Sequence, residues 1–102
     1  MSLEPQPDNA PAGDAVCRSA TITNRRGLHA RAAAKFVKLT AQFKAEVVVS
    51  KRGMEVSGLS IMGLMMLAAG PGCTIELKGT GDEADQAINA LVGLIEAKFD
   101  ED

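Results

Sequence analysis

The chain holds a single histidine, His29, inside the stretch NRRGLHARAAAKFV, residues 24–37. Arg31 follows two residues later, Arg25 and Arg26 precede it, and an alanine-rich run begins directly after the ring. A neutral imidazole is a good nucleophile, and an unperturbed one titrates near about pH 6.5. Good helix formers follow His29, which puts it at or next to a helix N-cap. There the first amides lack an intrahelical partner and, with the macrodipole, favour an anion. The same positive end disfavours an imidazolium and keeps the ring neutral. Gly27 gives the preceding loop freedom for a close approach, and Arg31 offers a fixed charge with several donors. A phosphoryl group carried on the ring would have its oxygens held by those amides and by Arg31. No neighbouring carboxylate or serine completes a triad, and a one-step transfer needs none. A structural or surface histidine near a helix start is the alternative, and local context alone does not choose between them.

A second stretch, GLSIMGLMML at 58–67, carries a different signal. Ser60 is a natural N-cap, and the short helix after it is apolar nearly all round. One side can enter the core, leaving some of Ile61, Met62, Leu64 and Met65 exposed. Composition alone reads as core packing. Flexible, polarisable methionines also suit a surface used by several partners. A phosphate on Ser60 would be tolerated at a helix start but would put negative charge in the middle of an apolar docking patch, which describes an off-switch.

The 102 residues fit one small domain, with 46% hydrophobic and 24% charged residues. Trp and Tyr are absent and Phe numbers three, so the core must be aliphatic, helped by five Met. Residues 1–15, acidic and Pro-rich, read as a disordered arm, with the domain over 16–102. The arm lacks the basic and apolar parts of a signal peptide, and the longest apolar stretch is too short for a bilayer, so a cytoplasmic protein without membrane insertion is expected. Cys17 and Cys73 have no metal-motif spacing, and one histidine makes no ligand cluster, so no metal is expected. Both cysteines lie in expected strands and read as buried free thiols in preference to a disulfide, on compartment grounds. The net charge of −2 conceals an asymmetry: residues 18–52 hold nine Lys/Arg and one acid, residues 76–102 eight acids and two Lys. The basic half suits an acidic protein surface, a phosphate or a nucleic acid, but scarce aromatics argue against base stacking and hence against nucleic acid.

The elements needed to position these residues follow from periodicity. Strands are expected at 16–22, 45–50, 54–57 and 73–78. Helices are expected at 30–43, at 61–67 with Gly70 as its stop, and after Asp82 as cap, with a stripe of Ala84, Ile88, Leu91, Ile95 and Phe99. In the first helix Ala33, Val37 and Thr40, with Ala30, Phe36, Leu39 and Phe43, make the apolar face, and Lys35 and Lys38 its margin. Gly79-Thr80-Gly81 reads as a turn. The order is βαββαβα, with the helices covering one face of a four-stranded sheet.

Together, NRRGLHARAAAKFV and SIMGLMML closely resemble the two signature segments of the HPr family, the histidine-containing phosphocarriers of the bacterial phosphoenolpyruvate-dependent phosphotransferase system. The resemblance covers about residues 16–99. It implies an α+β open-faced sandwich, a four-stranded antiparallel sheet with three helices on one face. It implies that His29 is phosphorylated through Nδ1, with Arg31 stabilising the phosphate and no cofactor. Ser60 would be the regulatory site, modified by an ATP-dependent HPr kinase/phosphorylase where the organism has one. Ala34, Lys38, Ile61, Met62 and Met65 match the family's docking face. Enzyme I would be the donor and enzyme IIA domains the acceptors, in sugar uptake or in the nitrogen-related branch whose carrier is called NPr. Leu59 stands where a lysine is often found before the serine. A surface shared by several partners points to a monomer. The competing reading is a non-catalytic regulatory module, read through Ser60 and the apolar helix 61–67.

Overall fold

The structure is a computed structural model that describes residues 15–101. The arm expected over residues 1–15 lies, apart from Ala15, outside the described residues. The elements are β1 (Val16–Thr21), α1 (Ala30–Thr40), β2 (Glu46–Lys51), β3 (Met54–Ser57), α2 (Ile61–Met66), β4 (Thr74–Thr80) and α3 (Ala84–Glu96). A single 3-10 turn, Lys98–Asp100, closes the described chain. The sheet runs β1-β4-β2-β3, antiparallel at each pairing, as expected for the open-faced sandwich. None of the helices among the described residues is long and apolar enough to cross a membrane.

Period-two alternation decides which residues enter the core. On the central strand β4, Ile75, Leu77 and Gly79 are buried while Thr74, Glu76 and Lys78 are exposed. Val47 and Val49 do the same on β2. The helices lay Phe36, Leu64, Ile88, Leu91 and Ile95 over this apolar face, all fully buried. At Gly79 a Cβ would stand 2.8 Å from Ile88 Cγ1, so glycine lets α3 lie close to the sheet.

Several boundaries differ from the sequence-based expectation, each for a local reason. Gly79 and Thr80 continue β4 instead of turning, because both pair with neighbours: Gly79 with Val16 and Val47, Thr80 with Glu46. Helix α1 stops at Thr40, whose Oγ1 donates to Phe36 O at 2.8 Å, and Ala30 is exposed. Asp82 is not the cap of α3; Glu83 holds that position, and its carboxylate accepts from the Lys44 amide at 2.6 Å. Helix α2 ends at Met66, and Ala68, not Gly70, takes the left-handed conformation with φ 52°. Lys51 Nζ explains this by donating to the carbonyls of Leu67 (2.9 Å) and Ala68 (3.1 Å), so the helix end is satisfied by a side chain. The thiols are free but not buried. Cys17 is exposed, three positions from the inward-facing Ala20 and so on the opposite face of β1, and Cys73 is half-buried just ahead of β4.

Phe99 does not extend the α3 stripe, since the helix ends at Glu96. Lys98, Phe99 and Asp100 all adopt positive φ (58°, 55° and 60°), a conformation that costs a non-glycine residue roughly 1–2 kcal/mol. Complete burial of the Phe99 ring offsets that cost. Phe99→Ala should therefore lower stability by about 3–5 kcal/mol in urea unfolding, whereas a loss under about 1 kcal/mol would mean the ring does not anchor the segment.

Candidate functional site

Between β1 and α1 the chain makes a closed loop. Asn24 is fully buried; its Nδ2 donates to Gly27 O at 2.8 Å, and Gly27 N donates back to Asn24 O at 3.2 Å. Gly27 has φ 67°, and a Cβ there would lie 2.6 Å from Ala69 O and 2.8 Å from Gly70 Cα. Only glycine permits this contact. The next residue consolidates it, with Leu28 N donating to Ala69 O at 2.9 Å and its side chain buried.

His29 is the N-cap of α1, in extended conformation (φ −79°, ψ −179°), and its carbonyl accepts the helix's first bond, from Ala33 N at 2.8 Å. Its side chain makes no capping bond, so the ring does not cover the first helix amides. Arg31 lies in the first turn and is exposed; Ala34 is half-buried and Lys38 exposed further along α1.

The ring has a partner that sequence reasoning missed. His29 Nε2 lies 2.5 Å from Glu101 Oε2, with side-chain exposures of 19% and 12%. Asn24 Nδ2 donates to the other carboxylate oxygen at 3.0 Å. Both neighbours of Nδ2 are acceptors, which fixes the orientation of the Asn24 amide. Lys35 Nζ donates to Phe99 O at 2.6 Å, two residues ahead of Glu101. The expectation that no carboxylate supports the histidine is thus corrected. Glu101 is distant in sequence and returns only because Phe99 turns the chain inward. The charge asymmetry was the available signal, since it opposes a basic histidine segment to an acidic C-terminal one. Burial acts to raise the Glu101 pKa and is the largest single influence. The hydrogen bonds from Asn24 and His29 and the charges of His29 and Lys35 together outweigh it and hold the carboxyl below its ordinary value of 4.5.

The second motif forms a separate surface. Ser60 is the N-cap of α2 and its Oγ accepts from Gly63 N at 2.9 Å. Leu64 and Leu67 enter the core, whereas Ile61, Met62, Met65 and Met66 are exposed. The reading of this helix as core packing is corrected accordingly; of the four residues some of which were expected at the surface, Ile61, Met62 and Met65 are exposed and Leu64 is not. Leu59, directly ahead of Ser60, and Met54 on β3 are exposed as well. Helix α2 packs against α1, so the residues expected to dock partners lie on two neighbouring helices.

Residues 16–97 match the family described as "PTS HPr component phosphorylation site". Phosphocarrier protein NPr of Shewanella violacea is 46% identical over 84 residues, covering 82% of this chain and 92% of that protein. Phosphocarrier protein HPr of Neisseria meningitidis serogroup A is 50% identical over 84 residues, covering 82% and 94%. Among solved structures, HPr-C-His from Thermoanaerobacter tengcongensis superposes with a TM-score of 0.82 at 41% identity, covering 85% of this chain and 98% of that one. HPr from Bacillus anthracis gives 0.76 at 36% identity, covering 79% and 96%.

The lowered Glu101 pKa fixes the sign of a pH effect. The contact contributes stability in full above the unfolded-state value and loses it as pH falls through the depressed folded value. Glu101→Gln should therefore be less stable than the parent near about pH 5, and the gap should narrow as the pH is lowered from about 5 to 3 in urea titrations. A gap that stays constant or widens on acidification would contradict this assignment.

Proposed function

The chain belongs to the HPr family of phosphotransferase-system phosphocarriers, and from that premise we propose that His29 carries the phosphoryl group. The observation that supports this most is the placement of the ring: at the N-cap of α1, partly exposed, with its own side chain making no bond to the first helix amides. A phosphoryl group on Nδ1 would meet those amides and the positive end of the helix. Arg31, exposed in the same turn, supplies the charge that neutralises the remaining phosphate oxygens.

The donor is phosphorylated enzyme I and the acceptors are enzyme IIA domains. In the first step His29 Nδ1 attacks phosphorus, a nitrogen–phosphorus bond forms on the carrier, and the one on the donor breaks with its electron pair returning to the donor imidazole. The second step repeats this with His29 as the leaving group. Positioning and charge do the work in both directions, and no further nucleophile is required. Ala34 and Lys38 on α1 and Ile61, Met62 and Met65 on α2 form the docking face, an apolar patch flanked by positive charge that suits an acidic-rimmed partner. The relatives bear both names, HPr and NPr, and the proposal is the chemistry that a sugar branch and a nitrogen-related branch would share.

Ser60 is the regulatory residue in this reading, open to an HPr kinase/phosphorylase. Its Oγ already accepts the Gly63 amide, so a phosphate there would stay at the start of α2, beside exposed Ile61 and Met62. That placement also supports a second reading, in which the same face is a regulatory module that needs no phosphohistidine.

His29→Ala, incubated with enzyme I and phosphoenolpyruvate, should take up no acid-labile phosphate; uptake equal to the parent would exclude His29 as carrier. Ser60→Asp should keep the fold but slow transfer from enzyme I by roughly tenfold or more, through charge placed in an apolar interface. An unchanged rate would count against the switch, and regulator binding that survives His29→Ala but fails in Ser60→Asp would favour the second reading.

A further inference from the structure

We propose that Glu101 is a positioning residue for transfer at His29: its carboxylate holds the ring through Nε2, leaves Nδ1 as the nitrogen that takes the phosphoryl group, and balances the positive charge the ring then acquires. The proposal rests on His29 being the carrier and adds the residue that orients it.

The geometry carries the argument. A carboxylate is an acceptor only, so the contact between Glu101 Oε2 and Nε2 at 2.5 Å requires the proton on Nε2. In the neutral ring Nδ1 then bears the lone pair. Nothing about the contact is left to a freely rotating side chain. The second carboxylate oxygen is fixed by Asn24 Nδ2, the same nitrogen donates to Gly27 O within the loop that leads into His29, and Lys35 Nζ grips the backbone two residues upstream. Three successive residues without glycine accept positive φ to bring Glu101 there, with Phe99 buried as the anchor. Local backbone cost of this kind persists where surrounding structure over-determines it.

The transfer step shows what the carboxylate would do. As Nδ1 bonds to phosphorus, the donor ring departs with the electron pair of its broken nitrogen–phosphorus bond. The His29 ring keeps its Nε2 proton and becomes a phosphoimidazolium. Its positive charge develops directly against Glu101, which is ionised. When the phosphoryl group is passed on, the charge disappears and the neutral ring returns with Nε2 still donating. A carboxylate behind a histidine acts in this manner wherever the ring must cycle between neutral and cationic forms.

The test uses the full chain, with Glu101→Gln and Glu101→Ala beside the parent. Nitrogen-resolved NMR of the unphosphorylated parent should show the proton on Nε2 and a bare Nδ1. A proton on Nδ1 overturns the proposal without any variant. The phosphoryl equilibrium between enzyme I and each chain is then measured. Both variants should still be modified at His29, with the equilibrium shifted back toward enzyme I by roughly tenfold or more. Glu101→Gln keeps the shape and an acceptor oxygen but not the charge, so it remains informative if Glu101→Ala fails to fold. Equilibria within about twofold of the parent would make Glu101 a structural tie alone and overturn the proposal. If parental His29 takes no phosphate while a control carrier does, the carrier reading itself fails, and this inference with it.

Discussion

The working corner of the molecule depends on one backbone contact, Gly27 pressed against Ala69 and Gly70. A Cβ at Gly27 would have to occupy the space of the Ala69 carbonyl oxygen, and an L side chain would resist the left-handed φ as well. With glycine there, Leu28 bonds to Ala69 O and buries its side chain, and His29 emerges as the N-cap of α1. The other side of the contact is the segment that follows α2. The histidine and the exposed methionines are thus set relative to one another by main chain, which is stiffer than any pairing of long side chains. Lys51 reinforces the same segment by holding the carbonyls of Leu67 and Ala68.

Two electrostatic influences meet at His29 with opposite sign. The start of α1 favours an anion. Glu101 favours a proton on Nε2 and any positive charge the ring acquires. A carrier needs both, because the phosphoryl group must be held while it is carried and must also be released. An anion site alone would keep the phosphate, and a carboxylate alone would repel it. Here the carboxylate addresses Nε2 while the helix amides lie on the main-chain side of the same residue. A phosphoryl group on Nδ1, as proposed, and the carboxylate would accordingly face different atoms of one ring.

Much of this was legible in the sequence because it is written locally. The alternation of β4, the Ser60 cap and the Ala-rich helix after His29 are short-range patterns with one structural solution each. The edges were misread where a distant side chain changed a local rule. Gly70 is the expected helix stop, yet Lys51, from the neighbouring hairpin, caps the helix earlier at Ala68. Asp82 has the composition of a cap, yet Glu83 takes the place and binds the Lys44 amide. Glu101 was out of reach for the same reason. Its role depends on an unusual left-handed turn at Lys98–Asp100 that no propensity favours and that the burial of Phe99 makes possible. The apolar helix posed a different difficulty. Composition cannot say which of its residues face inward, and only Leu64 and Leu67 do so fully.

The most direct measurement of the central claim is phosphorus–nitrogen correlation NMR on the nitrogen-labelled chain after reaction with enzyme I and phosphoenolpyruvate. The expected result is one phosphoramidate, on Nδ1 of His29, with Nε2 still protonated and the amide spectrum of the folded domain retained. Phosphorus bonded to Nε2, or to no histidine nitrogen at all, would contradict it.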